Sequence, residues 1–255
     1  MAAEATRRFL LPLSDLAASA SVLIPAAGRG ERFGGSLPKQ LTPVCGQPLL
    51  RWTLRRFLEA GLTSITVAVP QHLLAEAPVR ILDDPHVRWI VGGGSRQASV
   101  EACLVATPGG DDDLVIVHDG ARPALATEDL RRVVEAAAQA DGAVLGRMVS
   151  DTLKEIEEGA IVRTLQRSRL FRAETPQVFR RALLAQALER CRHDGFVGTD
   201  EASVVERLPG VTVRALEANA PNPKLTVAAD LLLIETLLSR YPTSGAMSAT
   251  GKPDR

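Results

Sequence analysis

Short apolar runs alternate with segments of helical periodicity over most of the chain. The runs of strand character are SVLI (21–24), ITVAV (65–69), VRWIV (87–91), DLVIVHD (113–119) and AVLGRMV (143–149). Between them, residues 50–58, 96–106 and 130–137 place apolar side chains at helical spacing. Strands that are apolar almost throughout are buried on both faces of a sheet. We therefore predict an α/β, Rossmann-like fold, in which helices cover a mainly parallel sheet and ligands bind beyond the carboxyl ends of its strands.

The segment DTLKEIEEGAIVRTLQR (151–167) breaks this alternation. It contains two short strand-like runs joined at Glu158 and Gly159, and Lys154 and Glu155 make the first run too polar for the central sheet. The pattern predicts a β-hairpin arm. Because an isolated hairpin is only marginally stable in water, we expect this one to serve as a dimerisation arm that packs on a second copy of the chain.

Beyond the arm the pattern predicts further helices and one more strand. Helical patterns lie at about 180–193 and after Thr199, and VTVRALE (211–217) has strand character. Thr226 is expected to cap a final helix, because a threonine before a helical pattern can accept a hydrogen bond from the first turn.

The two ends of the chain lack such patterns. We expect residues 1–19 and 241–255 to be disordered, and we predict one domain over residues 20–240 that includes the arm at about 150–172. The apolar run FLLPL (9–13) is too short and too interrupted for a signal peptide. No apolar stretch approaches the roughly 20 residues of a membrane span, so we expect no membrane partner.

Composition restricts the possible partners further. Among 255 residues, 30 Lys and Arg balance 30 Asp and Glu, so we expect no general attraction to nucleic acid, and any positive site must be local. Cys45, Cys103 and Cys191 lack the spacing of a zinc site or a disulfide framework. We expect all three to be buried small side chains and the protein to be cytoplasmic.

A glycine-rich, basic loop follows the first predicted strand. The segment PAAGRGERFGGSLPKQ (25–40) contains Arg29, Arg32 and Lys39 among its glycines. Glycines allow the backbone N–H groups to turn toward an anion, and the basic side chains add charged hydrogen bonds to phosphate oxygens. The loop is therefore predicted to bind a nucleoside triphosphate.

Two common phosphate-binding patterns do not fit this loop. A P-loop requires Ser or Thr after its lysine, whereas Lys39 lies between Pro38 and Gln40. The dinucleotide pattern requires a third glycine where Phe33 stands, and no acidic residue ends the strand at 65–69. A simple surface turn would leave the basic residues without a role.

Seven segments in order resemble the 2-C-methyl-D-erythritol 4-phosphate cytidylyltransferase family. They are the glycine-rich loop, VGGGSRQASV (91–100), VHDGARP (117–123), DTLK (151–154), TPQVF (175–179), TDEAS (199–203) and NPKLT (222–226). The resemblance covers roughly residues 20–240. It implies that CTP reacts with the polyol phosphate, releases pyrophosphate and gives an isoprenoid precursor.

The resemblance also implies roles for the charged residues. Arg32 and Lys39 would hold the triphosphate, and Lys224 would reach the α-phosphate. Asp119 directly follows a predicted strand, where a single carboxylate together with phosphate oxygens and water suits Mg²⁺. His118 is expected to be a packed side chain, because this reaction needs no proton relay.

Further nucleotide contacts are implied at small residues. They are Ala26, Ala27, Gly28 and Gly30 of the loop, with Gly93 and Ser99 in the pocket for the base. Two positions depart from the family pattern. Gly94 stands where an acidic residue is common, which weakens the account of base selection, and Gly120 stands where alanine is usual.

The polyol phosphate would be held by two groups of residues. Thr152 and Arg167 of the arm would reach the site of the neighbouring subunit in a homodimer. Residues of the same subunit would complete this pocket, namely Arg122, Thr175, Thr199 and Asp200.

Two other functions are compatible with the motifs. A ribitol 5-phosphate cytidylyltransferase would use the same loop and the same chemistry on a different polyol. A non-catalytic nucleotide-binding regulator would keep the fold without turnover. The presence of Lys39, Asp119 and Lys224 together argues against the regulator.

Overall fold

The computed structural model describes residues 20–28 and 38–240. Our expectations for residues 1–19 and 241–255 lie outside this range. So do those for Gly30 and Arg32 of the glycine-rich loop.

The described residues form seven α-helices and eleven strands. The helices are Leu49–Glu59 (α1), Ala77–Arg80 (α2), Arg96–Ala106 (α3), Thr127–Ala138 (α4), Arg181–Asp194 (α5), Glu201–Val205 (α6) and Asp230–Leu238 (α7). The strands are Ala20–Pro25 (β1), Pro43–Val44 (β2), Gln47–Pro48 (β3), Ile65–Val69 (β4), Val87–Val91 (β5), Leu114–Val117 (β6), Gly142–Met148 (β7), Lys154–Glu157 (β8), Ala160–Thr164 (β9), Phe171–Arg180 (β10) and Val213–Glu217 (β11).

Seven strands form the central sheet, in the order β11-β7-β10-β6-β1-β4-β5. Strand β1 pairs in parallel with β4 and β6, β4 with β5, and β11 with β7. Strand β10 alone runs antiparallel to its neighbours β6 and β7. The prediction of a mainly parallel α/β sheet is confirmed.

Helices cover both faces of this sheet. On one face, α1 and α4 place Leu54, Phe57 and Val133 against the sheet, and on the other face α3 and α5 contribute Val100 and Leu188. Burying a side chain of this size contributes about 1.5–3 kcal/mol, so the two layers hold the strand ends in fixed positions. None of the helices within residues 20–28 and 38–240 has both the length and the apolar character that crossing a membrane requires.

Strands β8 and β9 form the predicted hairpin. Glu158 and Gly159 at its turn have φ angles of 49° and 84°, which suits a two-residue turn that requires positive φ at both positions. Every residue of both strands is exposed, and Ile156 faces Ile161 across the pair. Phe171, which we included in the arm, instead begins β10 of the central sheet. The dimerisation role of the arm stays a prediction.

Two local predictions are wrong. Cys45 is exposed rather than buried, because it lies with a φ of 47° in the tight turn between β2 and β3. Thr226 does not cap the last helix, which begins at Asp230. The Asp230 carboxylate instead accepts hydrogen bonds from the backbone N–H groups of Thr226 and Val227, at 2.7 and 2.9 Å.

Candidate active site

A cavity of about 890 Å³ lies at the carboxyl ends of β1, β4, β5 and β6. Its wall is formed by residues that directly follow these four strands, namely Ala26–Gly28, Pro70, Gly92–Arg96 and Asp119–Ala121. Lys39, Gln40, Lys224 and Thr226 close it from the side. Parallel strands present their carboxyl ends at one edge of the sheet, which is where the sequence predicted a ligand.

Eight of the predicted site residues line this cavity together. They are Ala26, Ala27, Gly28, Lys39, Gly93, Ser99, Asp119 and Lys224. The two lysines come from distant parts of the sequence, and the Lys39 ammonium donates to the carbonyl of Leu225 at 2.8 Å, directly beside Lys224. The cavity therefore has two ammonium groups on one wall.

Asp119 is the charged centre of the cavity. Its Oδ1 accepts from Nε of Arg96 at 3.1 Å, and its Oδ2 lies 2.7 Å from Nζ of Lys224 and 3.6 Å from Nε of Arg122. Burial alone would raise the pKa of this carboxyl, but Arg96, Lys224 and Arg122 outweigh burial and hold its pKa well below the usual range. Asp119 is therefore ionised at neutral pH.

A chain of hydrogen bonds fixes the backbone around Asp119. Its N–H donates to Oγ1 of Thr175 at 3.0 Å, and that oxygen lies 3.1 Å from Nδ1 of His118. Nε2 of His118 lies 3.0 Å from the carbonyl of Arg122. A carbonyl only accepts, so Nε2 carries the proton and the threonine hydroxyl donates to Nδ1. His118 is fully buried, as expected for a packed side chain.

Lys224 is positioned by a loop tied to this same chain. The side-chain amide of Asn222 donates to the carbonyl of Thr175 at 2.7 Å. The Arg122 guanidinium donates to the carbonyl of Asn222 at 2.7 Å, and the N–H of Leu225 donates to the carbonyl of Ala121 at 2.9 Å. The segment after β6 thus carries both Asp119 and the support for Lys224.

The other predicted substrate residues do not line the cavity. Thr175 is buried, and Thr199 is exposed. Asp200 caps α6 by accepting from the N–H of Ser203 at 2.9 Å. Thr152 and Arg167 are exposed on the arm, where Arg167 donates to the carbonyl of Ser150 at 2.6 Å. Their roles toward the polyol, like that of Arg122, stay predictions.

Glycines shape the part of the cavity after β5. A Cβ at Gly92 would lie 2.3 Å from the Cβ of Ala27, and one at Gly93 would lie 2.5 Å from the Cβ of Ala98, so neither position admits a side chain. A Cβ at Gly94 would have no neighbour within 4 Å, so this position can accept one. Glycine at position 94, where the family commonly has an acidic residue, therefore leaves open space, and no neighbouring side chain fills it.

Gln40 and Arg96 are two of the cavity residues that were not predicted, and both make specific contacts there. Nε2 of Gln40 donates to the carbonyls of Ala26 and Gly28, the latter at 3.1 Å, and so braces the chain that leaves β1. Arg96 contacts Asp119 from the first residue of α3. Its position directly after VGGGS was a signal for this contact, whereas nothing in the sequence marked Gln40 as a brace.

The donor set fits a magnesium ion held mainly by phosphates. Within the described part of the chain, no group of three or more His, Cys, Asp or Glu residues could hold a metal. Asp119 offers a hard carboxylate at the cavity wall. An ion bound there would take its remaining ligands from a nucleotide and water, as Mg²⁺ commonly does.

The fold and this cavity define a class of nucleotide-binding α/β enzymes. The family model for 2-C-methyl-D-erythritol 4-phosphate cytidylyltransferase matches residues 20–240, and the chain belongs to this family. It is 43% identical over 221 residues to the protein of that name from Symbiobacterium thermophilum, covering 86% of this chain and 92% of the relative. It is 37% identical over 218 residues to the relative of the same name from Aquifex aeolicus, covering 86% of this chain and 97% of that relative.

Solved structures agree with this assignment. The crystal structure of 2-C-methyl-D-erythritol 4-phosphate cytidylyltransferase from Thermus thermophilus superposes with a TM-score of 0.73 at 37% identity. The match covers 86% of this chain and 98% of that chain. The seven motifs that carried the resemblance all lie within residues 20–240, the range that the family model matches.

Burial of His118 predicts a specific loss of stability in acid. Burial lowers its pKa to about 4, against 6.5 for an unperturbed histidine. The unfolded chain therefore binds a proton between these values that the folded chain does not, so the free energy of unfolding falls as the pH falls from 6.5 to 4. At about 1.4 kcal/mol per pKa unit, the loss is roughly 3 kcal/mol.

Urea unfolding of the wild type and of His118→Gln at several pH values between 6.5 and 4 measures this loss. The variant is expected to be less stable throughout but to show a shallower dependence on pH. If the free energy of unfolding depended equally on pH in the two proteins, His118 would not be the source of the loss.

Proposed function

We propose that this protein transfers the cytidylyl group of CTP to 2-C-methyl-D-erythritol 4-phosphate. The substrate phosphate oxygen forms a bond to the α-phosphorus, the bond from that phosphorus to the bridging oxygen breaks, and pyrophosphate leaves. Membership of the cytidylyltransferase family over residues 20–240 carries this proposal. The convergence of Lys39, Lys224 and Asp119 on one cavity supports it.

The charges of the cavity match the main barrier of this reaction. The attacking group is already an anion, so no protein nucleophile is needed, and the barrier comes from bringing two anionic phosphates together. Two unit charges about 4 Å apart interact by about 4 kcal/mol at the dielectric typical of a protein surface. Ammonium groups on the cavity wall offset a repulsion of this size.

Lys224 is placed to act at the α-phosphate. Its side chain is 35% exposed, and its ammonium lies 2.7 Å from Asp119. Both groups contact the space where a triphosphate would lie. A lysine can turn about its flexible stem, so its charge can follow the negative charge that builds on the α-phosphate during transfer.

Lys39 holds the other end of the triphosphate. It lies at the base of the glycine-rich loop, on the same side of the cavity as the carbonyl of Leu225. Gln40 braces the neighbouring backbone at Ala26 and Gly28, so the N–H groups of this segment keep a fixed direction. Arg32, of the same loop, adds a third cation for the β- and γ-phosphates.

The Ser99 hydroxyl selects the base, because it can act toward a ligand only as a hydrogen-bond acceptor. Ser99 donates to the carbonyl of Ser95 at 2.9 Å, which uses its only proton. Its oxygen can still accept. The amino group of cytosine donates at the position where uracil carries an accepting carbonyl, so Ser99 favours CTP over UTP.

Magnesium is the cofactor of this proposal, with Asp119 as its protein ligand. When bound, the ion would neutralise part of the charge on the phosphates of CTP. Asp119 contributes a carboxylate that Arg96 and Lys224 keep ionised and directed.

The phosphate of the polyol is attracted by an excess of cations beside Asp119. Glu174 is 4% exposed and lies between three arginines, with Arg172 at 3.2 Å and Arg147 and Arg122 each at 3.8 Å. Arg122 also lies 3.6 Å from Asp119, but Arg147 and Arg172 still leave Glu174 with more positive charge than it can neutralise. The remaining positive charge suits the phosphate of the second substrate.

The homodimer completes this pocket. The arm exposes a small apolar surface, with Ile156 and Ile161 each 66% exposed and Val162 53% exposed. Burial of this surface on a second chain favours association. Thr152 and Arg167, which do not line the cavity of their own chain, then reach the cavity of the neighbouring subunit.

A reducing compartment suits the cysteines. Cys45, Cys103 and Cys191 are all unpaired, and two of them are buried in the core. In secreted proteins cysteines are usually paired in disulfides, whereas a reducing compartment keeps them as thiols, so we place the enzyme in the cytoplasm.

Substrate comparison tests the proposal directly. Pyrophosphate release should be rapid with CTP and 2-C-methyl-D-erythritol 4-phosphate, and it should be slower by at least about 100-fold with ribitol 5-phosphate or with UTP. Faster release with ribitol 5-phosphate would assign the chain to a different polyol. CTP binding without release for either polyol would indicate a regulator.

Replacing Lys224 tests the role of the charged wall. Lys224→Met keeps most of the stem but removes the ammonium, and we expect kcat to fall by about 100- to 1,000-fold, as for the loss of one donor to a developing charge. Arg190→Met, at an exposed ion pair on α5, is the control and should retain full activity. A loss below about threefold for Lys224→Met would refute its assignment.

Mixing two inactive variants tests the shared site. Arg167→Ala and Lys39→Ala should each be nearly inactive alone. Each heterodimer contains one site in which both the arm and the lysine are intact. After subunit exchange about half of the dimers are heterodimers, so activity should rise toward about one quarter of the wild-type value. Two variants of the same residue, mixed in the same way, serve as the control. No gain after exchange, verified by mass spectrometry, would exclude a site completed by the second chain.

A further inference from the structure

Arg96 connects the cavity to a buried carboxylate behind it. Its Nη1 and Nη2 donate to the two oxygens of Glu201 at 2.6 and 2.9 Å, and its Nε donates to Oδ1 of Asp119 at 3.1 Å. A guanidinium is planar and rigid, so binding both oxygens of one carboxylate fixes the direction of the remaining N–H. That direction is toward Asp119.

Glu201 is held firmly on the side away from the cavity. It is 2% exposed and is the first residue of α6, which Asp200 caps. Gln177 of β10 accepts from the N–H of Ala202 at 2.9 Å and donates to the Asp200 carboxylate at 2.8 Å. The central sheet thus sets the position of the Glu201 carboxylate.

The ion pair with Glu201 also limits the ability of Arg96 to bind a phosphate. Glu201 does not line the cavity, and it occupies the two-pronged end of the guanidinium that would otherwise suit a phosphate. Arg96 is therefore compensated within the protein, whereas Lys224 faces the cavity from the other oxygen of Asp119. Between them, Arg96 and Lys224 hold the two carboxylate oxygens and set the rotation of the Asp119 side chain.

We propose that Glu201 is a positioning residue for the cytidylyl transfer, which through Arg96 directs the Asp119 carboxylate into the cavity without contacting either substrate. This inference rests on the proposed function. It predicts that a change at a fully buried residue outside the cavity affects turnover more than CTP binding. It also predicts that the effect depends on the presence of Arg96.

A double-mutant cycle measures this dependence. Glu201→Gln keeps the shape of the side chain but removes its charge, and it should lower kcat by about 10- to 100-fold, with KM for CTP changed by less than about threefold. Arg96→Met should lower kcat by a similar or larger factor. In the Arg96→Met background, adding Glu201→Gln should change kcat by less than about twofold, because Glu201 acts only through Arg96.

Two further measurements separate positioning from general damage. Calorimetric binding of CTP without magnesium should be within about threefold of the wild type for Glu201→Gln, since the cavity wall is unchanged. Glu128→Gln is the matched control, because Glu128 also binds an arginine with both oxygens, but on the exposed side of α4. It should leave both kcat and KM at wild-type values.

Each outcome decides the inference. The inference would be overturned if the double variant lost kcat by the product of the two single-variant factors. A wild-type kcat for Glu201→Gln would also overturn it. Should Glu201→Gln fail to fold, Glu201→Asp keeps the charge, shortens the reach to Arg96 and enters the same cycle with the same expectations. Absence of turnover in the wild type would instead refute the proposed function, so the two failures are distinguishable.

Discussion

The site depends on one ionised carboxylate held by cations from two other parts of the chain. Asp119 follows β6, Arg96 begins α3 and Lys224 lies in the loop before α7. Burying a carboxylate is costly unless charged partners compensate it, and breaking such an arrangement leaves an uncompensated charge. The same contacts that keep Asp119 ionised therefore fix the relative positions of the segments that form the cavity.

The surrounding hydrogen bonds extend this constraint into the core. Thr175 links the backbone of Asp119 to His118, and Asn222 links Thr175 to the loop of Lys224. Because the central sheet and its two helical layers hold these residues, the cations need little rearrangement when a triphosphate binds. Preorganised charge of this kind is effective in phosphoryl transfer, where the protein mainly positions and neutralises.

The sequence predicted the parts of the structure that follow from local pattern. The apolar runs identified β1, β4, β5, β6 and β7, and the turn at Glu158 and Gly159 identified the hairpin. Strand β10 was missed, because it mixes the buried charge of Glu174 with apolar residues and has no simple period. Motifs placed Lys39, Asp119 and Lys224 together, whereas the bracing by Gln40 and the pairing of Arg96 with Glu201 depend on contacts between distant segments that no local pattern records.

The central claim is that lysines from two distant segments meet one triphosphate beside Asp119. A crystal structure of the protein with CTP and Mg²⁺ tests it most directly. We predict that Nζ of Lys39 and Nζ of Lys224 each lie about 3 Å from a phosphate oxygen, while Arg96 still contacts both Asp119 and Glu201. A triphosphate bound away from either lysine, with the ammonium groups left on Leu225 and Asp119, would contradict the account.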